Sequence, residues 1–180
     1  MHNGTQAFET DRLICRRFDM TDMQDMLEFW ASDPGTQLEY GEPVYMDAAA
    51  VTGLLEKYIS AYERPDTYRW AIVEKESGHN IGQIALCRVY SDIMTAEIEY
   101  CIGDRFRGHG YAGEALRGLI GYMFTHTDIE RLEAYHRGEN TSSGRVLERS
   151  SMHITDNVER FRREGKIPEG EVCYCIERDR

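Results

Sequence analysis

The sequence predicts a single α/β domain of the α+β kind over residues 1–180, a mixed, mostly antiparallel sheet with helices on both faces. Three observations carry that prediction. Three strand-like runs, residues 68–74, 81–89 and 95–102, are joined by short polar turns, which fits an antiparallel meander. A helical run (110–125) and a further strand (131–136) follow, and a helical crossover after hairpins makes a mixed sheet. The chain has 180 residues, 41% hydrophobic and 29% charged, enough for one core, and no repeat, low-complexity tract or Pro/Gly/Ser linker divides it.

The elements follow in order. Residues 13–17 read as a short strand. Thr21 then opens a helix, with Gln24 three residues on as in a capping box. Met23, Met26, Leu27 and Trp30 keep helical spacing, and Asp33-Pro34-Gly35 stops that helix. Residues 32–47 read as irregular. They carry Tyr40, Glu42 and Tyr45, the kind of loop that lines a substrate mouth. Asp47 caps a second helix with Val51, Leu54, Leu55, Tyr58, Ile59 and Tyr62 on its apolar face. Turns at Ser77-Gly78-His79-Asn80 and Tyr90-Ser91-Asp92 separate the meander strands, and Gly103-Asp104 ends the third. Helix 110–125 places Ala112, Ala115, Leu116, Leu119, Ile120 and Met123 on one side. Residues 142–149 form another helix with Val146 and Leu147 inward, and residues 171–177 alternate as a closing strand.

Bulk chemistry narrows the function. The net charge of −11, from 21 basic and 32 acidic residues, opposes nucleic-acid binding, which needs phosphate neutralisation. An acidic surface aids solubility and also attracts cationic partners such as amines. No run approaches the roughly 20 apolar residues of a membrane span, and residues 1–11 lack a signal-peptide pattern, so a soluble cytoplasmic protein is expected. The five cysteines (Cys15, Cys87, Cys101, Cys173 and Cys175) are odd in number and contain no Cys-x-x-Cys pair. Reduced thiols in strands are expected, with neither a disulfide framework nor a metal site.

The chemistry concentrates in Arg107-Gly108-His109-Gly110-Tyr111-Ala112, between a strand and a helix. The first amides of a helix have no intrahelical acceptor, and the helix dipole adds positive partial charge there. Glycines let a ligand approach the backbone closely. The product is an anion site suited to a diphosphate, with Arg107 as an adjacent cation. A P-loop is excluded because no Gly-Lys-Ser/Thr follows. Gly108-x-Gly110-x-x-Gly113 matches the dinucleotide spacing, but that fingerprint opens a unit of parallel strands, and hairpin-like strands precede it here.

With these segments in order, the chain resembles the GCN5-related N-acetyltransferases, and most closely the branch that includes the ribosomal-protein N-terminal acetyltransferases. The resemblance runs from Thr10-Asp11-Arg12-Leu13-Ile14-Cys15-Arg16 through Trp70-Ala71-Ile72-Val73, Ile81-Gly82-Gln83-Ile84 and Ala96-Glu97-Ile98-Glu99-Tyr100-Cys101-Ile102-Gly103 to the turn at 107–112. It continues in Glu139-Asn140-Thr141-Ser142-Ser143-Gly144-Arg145-Val146-Leu147-Glu148-Arg149. It implies acetyl-coenzyme A as acyl donor and a sheet splayed between the fourth and fifth strands. The pantetheine arm would pair with the backbone of Tyr100, Cys101 and Ile102 in that gap, because free strand edges accept added strands. The diphosphate would lie on the amides of Arg107, Gly108, His109, Gly110, Tyr111 and Ala112, and Asn140 would bond the arm. A homodimer through the C-terminal strand is the family expectation. The chain departs from the pattern at Ser150-Ser151-Met152, where the family places a small residue, glycine and an aromatic. Serine at the glycine position puts the following turn in question.

Acetyl transfer to an amine needs a base, polarisation of the thioester carbonyl and protonation of the departing thiolate. Glu97 and Glu99, two apart on one strand face, are the candidate bases, since close carboxylates raise one pKa. Each can instead pair with an arginine. His136 is a second candidate base with a structural alternative, and His109 is expected to lie exposed beside the cofactor. Ser143 is the candidate acid, through the resemblance, with helix capping as its alternative; Thr141 and Ser142 also qualify as caps. Tyr111 and Tyr135 are weaker candidates, and Cys101 is expected to be an inert strand thiol. The acceptor is expected to be a primary amine: a protein N-terminus, a polyamine or an aminoglycoside. Two other classes remain open from sequence, a non-catalytic acyl-coenzyme A sensor and a nicotinamide-dinucleotide binder.

Overall fold

The computed structural model describes residues 3–166 and 169–179. Among them, eight strands form: β1 (Phe8–Glu9), β2 (Leu13–Arg16), β3 (Arg69–Glu74), β4 (Asn80–Tyr90), β5 (Thr95–Ile102), β6 (Arg131–Arg137), β7 (His153–Ile154) and β8 (Glu171–Glu177). They hydrogen-bond into one sheet in the order β1-β2-β3-β4-β5-β6-β8-β7. Every neighbouring pair is antiparallel except β5–β6. The outer edge of β8 is covered in part by the two-residue β7, which pairs with Tyr174 and Cys175.

Helices cover both faces, so the central strands are apolar on both sides. On one face α1 (Met23–Phe29) and α3 (Ala48–Ala61) pack Met26, Trp30, Val51 and Leu55 against Ala71, Val73 and Cys101. On the other, α4 (Tyr111–His126) buries Ala115, Leu116, Leu119 and Met123 against Trp70, Ile72, Ile84 and Ile98. Leu147 of α5 (Thr141–Arg149) joins that second core, and Phe161 of α6 (Glu159–Glu164) packs with Cys173 of β8. All five cysteines are free thiols carried on strands. Among the described residues, no helix is long and apolar enough to cross a membrane.

The first helix starts earlier than Thr21. Asp19 accepts the Thr21 N–H at 2.8 Å and Asp22 accepts the Asp19 N–H at 2.9 Å, a reciprocal cap on a 3-10 turn (Met20–Asp22) that leads into α1. Arg16 fixes the box by clamping Asp22 at 2.8 and 2.9 Å. Asp33-Pro34-Gly35 opens a helix rather than only ending one. Asp33 accepts the Thr36 N–H at 2.7 Å, and Pro34 occupies the first helical position of α2 (Pro34–Tyr40). Proline is suited there, because its fixed φ is helical and its missing N–H would have had no partner. Residues 32–47 are therefore not wholly irregular; α2 ends at Gly41, which is left-handed at φ 78°.

The β5–β6 ladder is short. Thr95, Ala96 and Glu97 pair with Arg131, Leu132 and Glu133, and no further rung forms. Beyond it, β5 continues against β4 to Ile102 while β6 continues against β8 to Arg137, so the strands diverge. The β4–β5 register shifts at Leu86/Arg88, opposite Ile98 and Glu97, where the ladder with β6 ends. A bulge bends and over-twists its strand, and this one lies where β5 leaves β6. The expected splay between the fourth and fifth strands is this divergence, counting from Leu13–Arg16 as the first.

The turn after α5 forms despite its serine. Ser151 adopts φ 64°. Its N–H bonds Glu148 O at 3.1 Å and the Met152 N–H bonds Leu147 O at 3.2 Å. That is the paired helix-end arrangement that favours glycine at its left-handed position. Replacing Ser151 with glycine should raise unfolding free energy by about 0.5–1 kcal/mol, the side-chain strain relieved less the extra chain entropy of glycine. Urea unfolding checks this as a higher midpoint at unchanged slope.

Candidate active site

The divergence of β5 from β6 opens a cavity of about 760 Å³. Residues from both faces of β5 line it. Ile98, Tyr100 and Ile102 project with the α4–α5 core, while Glu97, Glu99 and Cys101 lie on the opposite face. The cavity therefore reaches from the N-termini of α4 and α5 on one side to α2, its following loop and β4 on the other.

At the α4 end the chain turns through Gly108 (φ 79°) and Gly110 (φ 82°), and α4 starts without a side-chain cap. Among the described residues, the amides of 108–113 have no hydrogen-bond acceptor. They form a run of donors on the positive end of a 16-residue helix, a ready anion cradle. Arg12 holds the turn from behind. Its guanidinium donates to His109 O at 3.0 Å, lies 4.5 Å from the Tyr111 ring centre and pairs with Glu114 at 2.7 Å. The Tyr111 hydroxyl donates to Glu74, tying the helix start to β3. His109 is exposed, stacked on Tyr111.

Arg107 lines the cavity, as an adjacent cation should, but its guanidinium is already bonded. It bonds Ile102 O at 3.1 Å, Thr36 Oγ1 at 3.0 Å and Glu39 at 3.0 Å. It thereby bolts the end of β5 to α2. Two other cations join it at the cavity. Arg145 and Arg149, four apart on α5, are exposed and line it, with no ion pair among the described residues. Their spacing in the sequence already put them on one helix face; nothing there singled them out as lining residues of a cavity.

Asn140, not Ser142, Ser143 or Thr141, caps α5. Its Oδ1 accepts the Ser143 N–H at 3.1 Å and the Ser142 hydroxyl at 2.8 Å. That leaves the Ser143 hydroxyl 2.8 Å from the Tyr100 hydroxyl, a bond from α5 to β5. Sequence reasoning used only the backbone of Tyr100. Burial pushes the Tyr100 phenol up to about 12, partly offset by its bond to Ser143. His136 is buried beneath α5, with Nδ1 on Arg137 O at 2.6 Å. A Cβ on Gly144 would come within 2.8 Å of its Nε2, so the ring is closely packed.

Glu97 and Glu99 share a face, as their spacing requires, yet each has its own arginine. Glu97 is 3% exposed, 2.9 Å from Arg88 and 3.9 Å from Arg160. Burial raises its pKa, and Arg88 and Arg160 pull it back. The rise comes first from desolvation, and the neighbouring Glu133 charge adds to it. Glu99 pairs with Arg69 at 2.7 Å, and the Arg69 guanidinium lies over Tyr58 of α3 at 4.3 Å. Burial pushes the Cys101 thiol up to about 12, the direction of an unreactive strand thiol. Tyr135 lines the cavity and packs under Arg160 at 3.9 Å. Among the described residues, no group of three or more His, Cys, Asp or Glu is placed to hold a metal ion.

Comparison with known proteins connects this geometry to a family. Residues 12–153 match the model of the acetyltransferase (GNAT) domain. The chain is 28% identical over 142 residues to the uncharacterized N-acetyltransferase p20 of Bacillus licheniformis, covering 79% of each. Its fold is similar to that of ribosomal-protein-S5-alanine acetyltransferase of Vibrio fischeri, with TM-score 0.78 at 14% identity over 97% of both chains. It is similar also to RimL, a ribosomal alpha-N-protein acetyltransferase in complex with coenzyme A, with TM-score 0.76 at 16% identity over 97% of this chain and 99% of that one. The family match spans the cradle, the diverging strands and the helix that closes the cavity, and the chain is an acyltransferase of the GNAT family.

Proposed function

We propose that the protein transfers an acetyl group from acetyl-coenzyme A to a primary amine, by direct attack with both substrates bound. The observation that carries this reading is the run of unpartnered amides at 108–113 beside the unpaired second half of β5. A donor with a diphosphate and an amide-bearing arm fits both features at once, and the complex of the structurally similar RimL with coenzyme A supports it. The same neighbours favour a protein N-terminus as acceptor over a small amine such as a polyamine or an aminoglycoside.

The residues divide the work by position. The amides from Gly108 to Ala112 bind the diphosphate, and Arg145 and Arg149 add positive charge at the same end. The backbone edge of Tyr100, Cys101 and Ile102 binds the pantetheine arm as an added strand. Asn140 has its oxygen committed to capping, so its amide NH2 is the group that faces the arm. The bound thioester supplies the carbonyl carbon that the amine attacks. Ser143, bonded to Tyr100, donates a proton to the departing sulfur, and the phenol restores it. Glu97 and Glu99 give the opposite face of the opening its acidic wall, with Arg88 and Arg69 holding them in place. Alignment of the two substrates across the splay contributes much of the rate.

An acetylation screen with mass readout, across peptide N-termini, polyamines and aminoglycosides, tests the reading directly. Tight coenzyme A binding with no turnover on any amine would instead indicate a sensor. Gly110→Val puts a branched side chain at φ 82° beside Arg12 and should weaken coenzyme A binding at least about tenfold by calorimetry. Tyr100→Phe and Ser143→Ala should each lower kcat by about 10- to 100-fold, and the double variant should fall short of the product because the two hydroxyls act as a unit. Arg107→Ala should cost about 1–2 kcal/mol of stability in chemical unfolding while leaving coenzyme A affinity within about threefold.

A further inference from the structure

The carboxylates around the acceptor half of the cavity differ in what already holds them. Glu97 lies behind Arg88 at the root of the opening. Glu99 is bound by Arg69, Glu39 by Arg107 and Glu171 by Arg160. Glu42 also lines the cavity and has no ion pair among the described residues. Its place is nonetheless fixed. It directly follows the left-handed Gly41, its N–H bonds Gln37 O at 3.0 Å, and the Tyr45 N–H bonds Ala31 O at 3.0 Å further along the same loop. The loop thus anchors its backbone at both ends and leaves the Glu42 side chain open to the cavity.

We propose that Glu42 binds the acceptor ammonium and takes the proton that this nitrogen must lose before attack. The inference rests on the acetyl-transfer reading and adds a residue to it. In the step, one N–H proton passes to a Glu42 oxygen and the freed lone pair forms the N–C bond to the acetyl carbon. The C–S bond breaks with its electrons on sulfur, which takes a proton from the Ser143 hydroxyl; Tyr100 replaces that proton, and the second N–H proton, lost as the adduct collapses to the amide, passes to solvent, from which the Tyr100 phenolate regains its own. The groups facing Glu42 are Glu99 of β5, Arg69 of β3, Tyr58 of α3 and Tyr45 of its own loop. Partial burial first, and then the Glu99 charge, raise the Glu42 pKa above the ordinary glutamate range, and Arg69 opposes them. A carboxylate shifted in that direction is a stronger base, and its activity is lost on the acid side as it protonates.

The test uses the full chain and whichever of a free-N-terminus peptide, spermidine or kanamycin the wild type acetylates fastest. Glu42→Gln should lower kcat by about 100-fold, remove the acid limb of the kcat profile and weaken acceptor binding to the coenzyme A-saturated protein at least about tenfold by calorimetry. Glu97→Gln and Glu99→Gln should retain that limb, and coenzyme A affinity should stay within about threefold in Glu42→Gln. The proposal is overturned if Glu42→Gln keeps the limb, or if only its KM changes. It is overturned equally if the limb is lost in Glu97→Gln or Glu99→Gln instead. A wild type that binds coenzyme A but acetylates none of the three amines removes the enzymatic reading, and this proposal with it.

Discussion

The last rung between β5 and β6, Glu97 opposite Glu133, decides what this molecule can do. Up to it, two parallel strands satisfy each other's backbone groups. Past it, the bulge in β4 turns β5 away, and the strand edge that β6 would have covered is available to a ligand. The rung carries two buried carboxylates side by side, an arrangement that would repel without cations. Arg88 and Arg160 attend Glu97, Arg131 binds Glu133 at 2.7 Å, and the Glu159 N–H donates to Glu133 at 2.9 Å. The splay is thus anchored by a charge network at its root.

From that root the site acquires two electrostatic halves. On the α4–α5 face, amides and two arginines that have no partner among the described residues favour an anion. On the other face, carboxylates predominate, and most are committed to arginines that hold the wall together. Arg107 links the halves mechanically: it joins the carbonyl end of β5 to α2, the element whose C-terminal loop carries Glu42. The position of the glycine turn and the shape of the opening beside α2 are therefore coupled through one side chain.

Much of this was legible in the residues. Helix α4 and the meander strands β3 to β5 are long and strongly patterned, so their periods identify them. The glycine pair at 108 and 110 points to a left-handed turn at a helix start, since other residues would be strained there. The short elements were harder. Asp33-Pro34-Gly35 has the same composition as a stop signal and as a cap followed by proline at the first helical position; only tertiary contacts select the second. Among Asn140, Thr141, Ser142 and Ser143, any could cap α5, and the choice of Asn140 is what leaves the Ser143 hydroxyl to meet Tyr100. The arginines that pair with Glu97 and Glu99, and the α2 partners of Arg107, are 9 to 71 positions away in sequence, so these contacts leave no local trace.

The central claim is that the unpaired half of β5 and the amides of the α4 turn together receive one extended ligand. Amide hydrogen exchange with and without coenzyme A measures it most directly. The account predicts slowed exchange in residues 98–102 and in residues 108–113, with both segments changing over the same ligand concentration range. Protection confined to the turn, or appearing at neither segment while coenzyme A binds elsewhere, would contradict it.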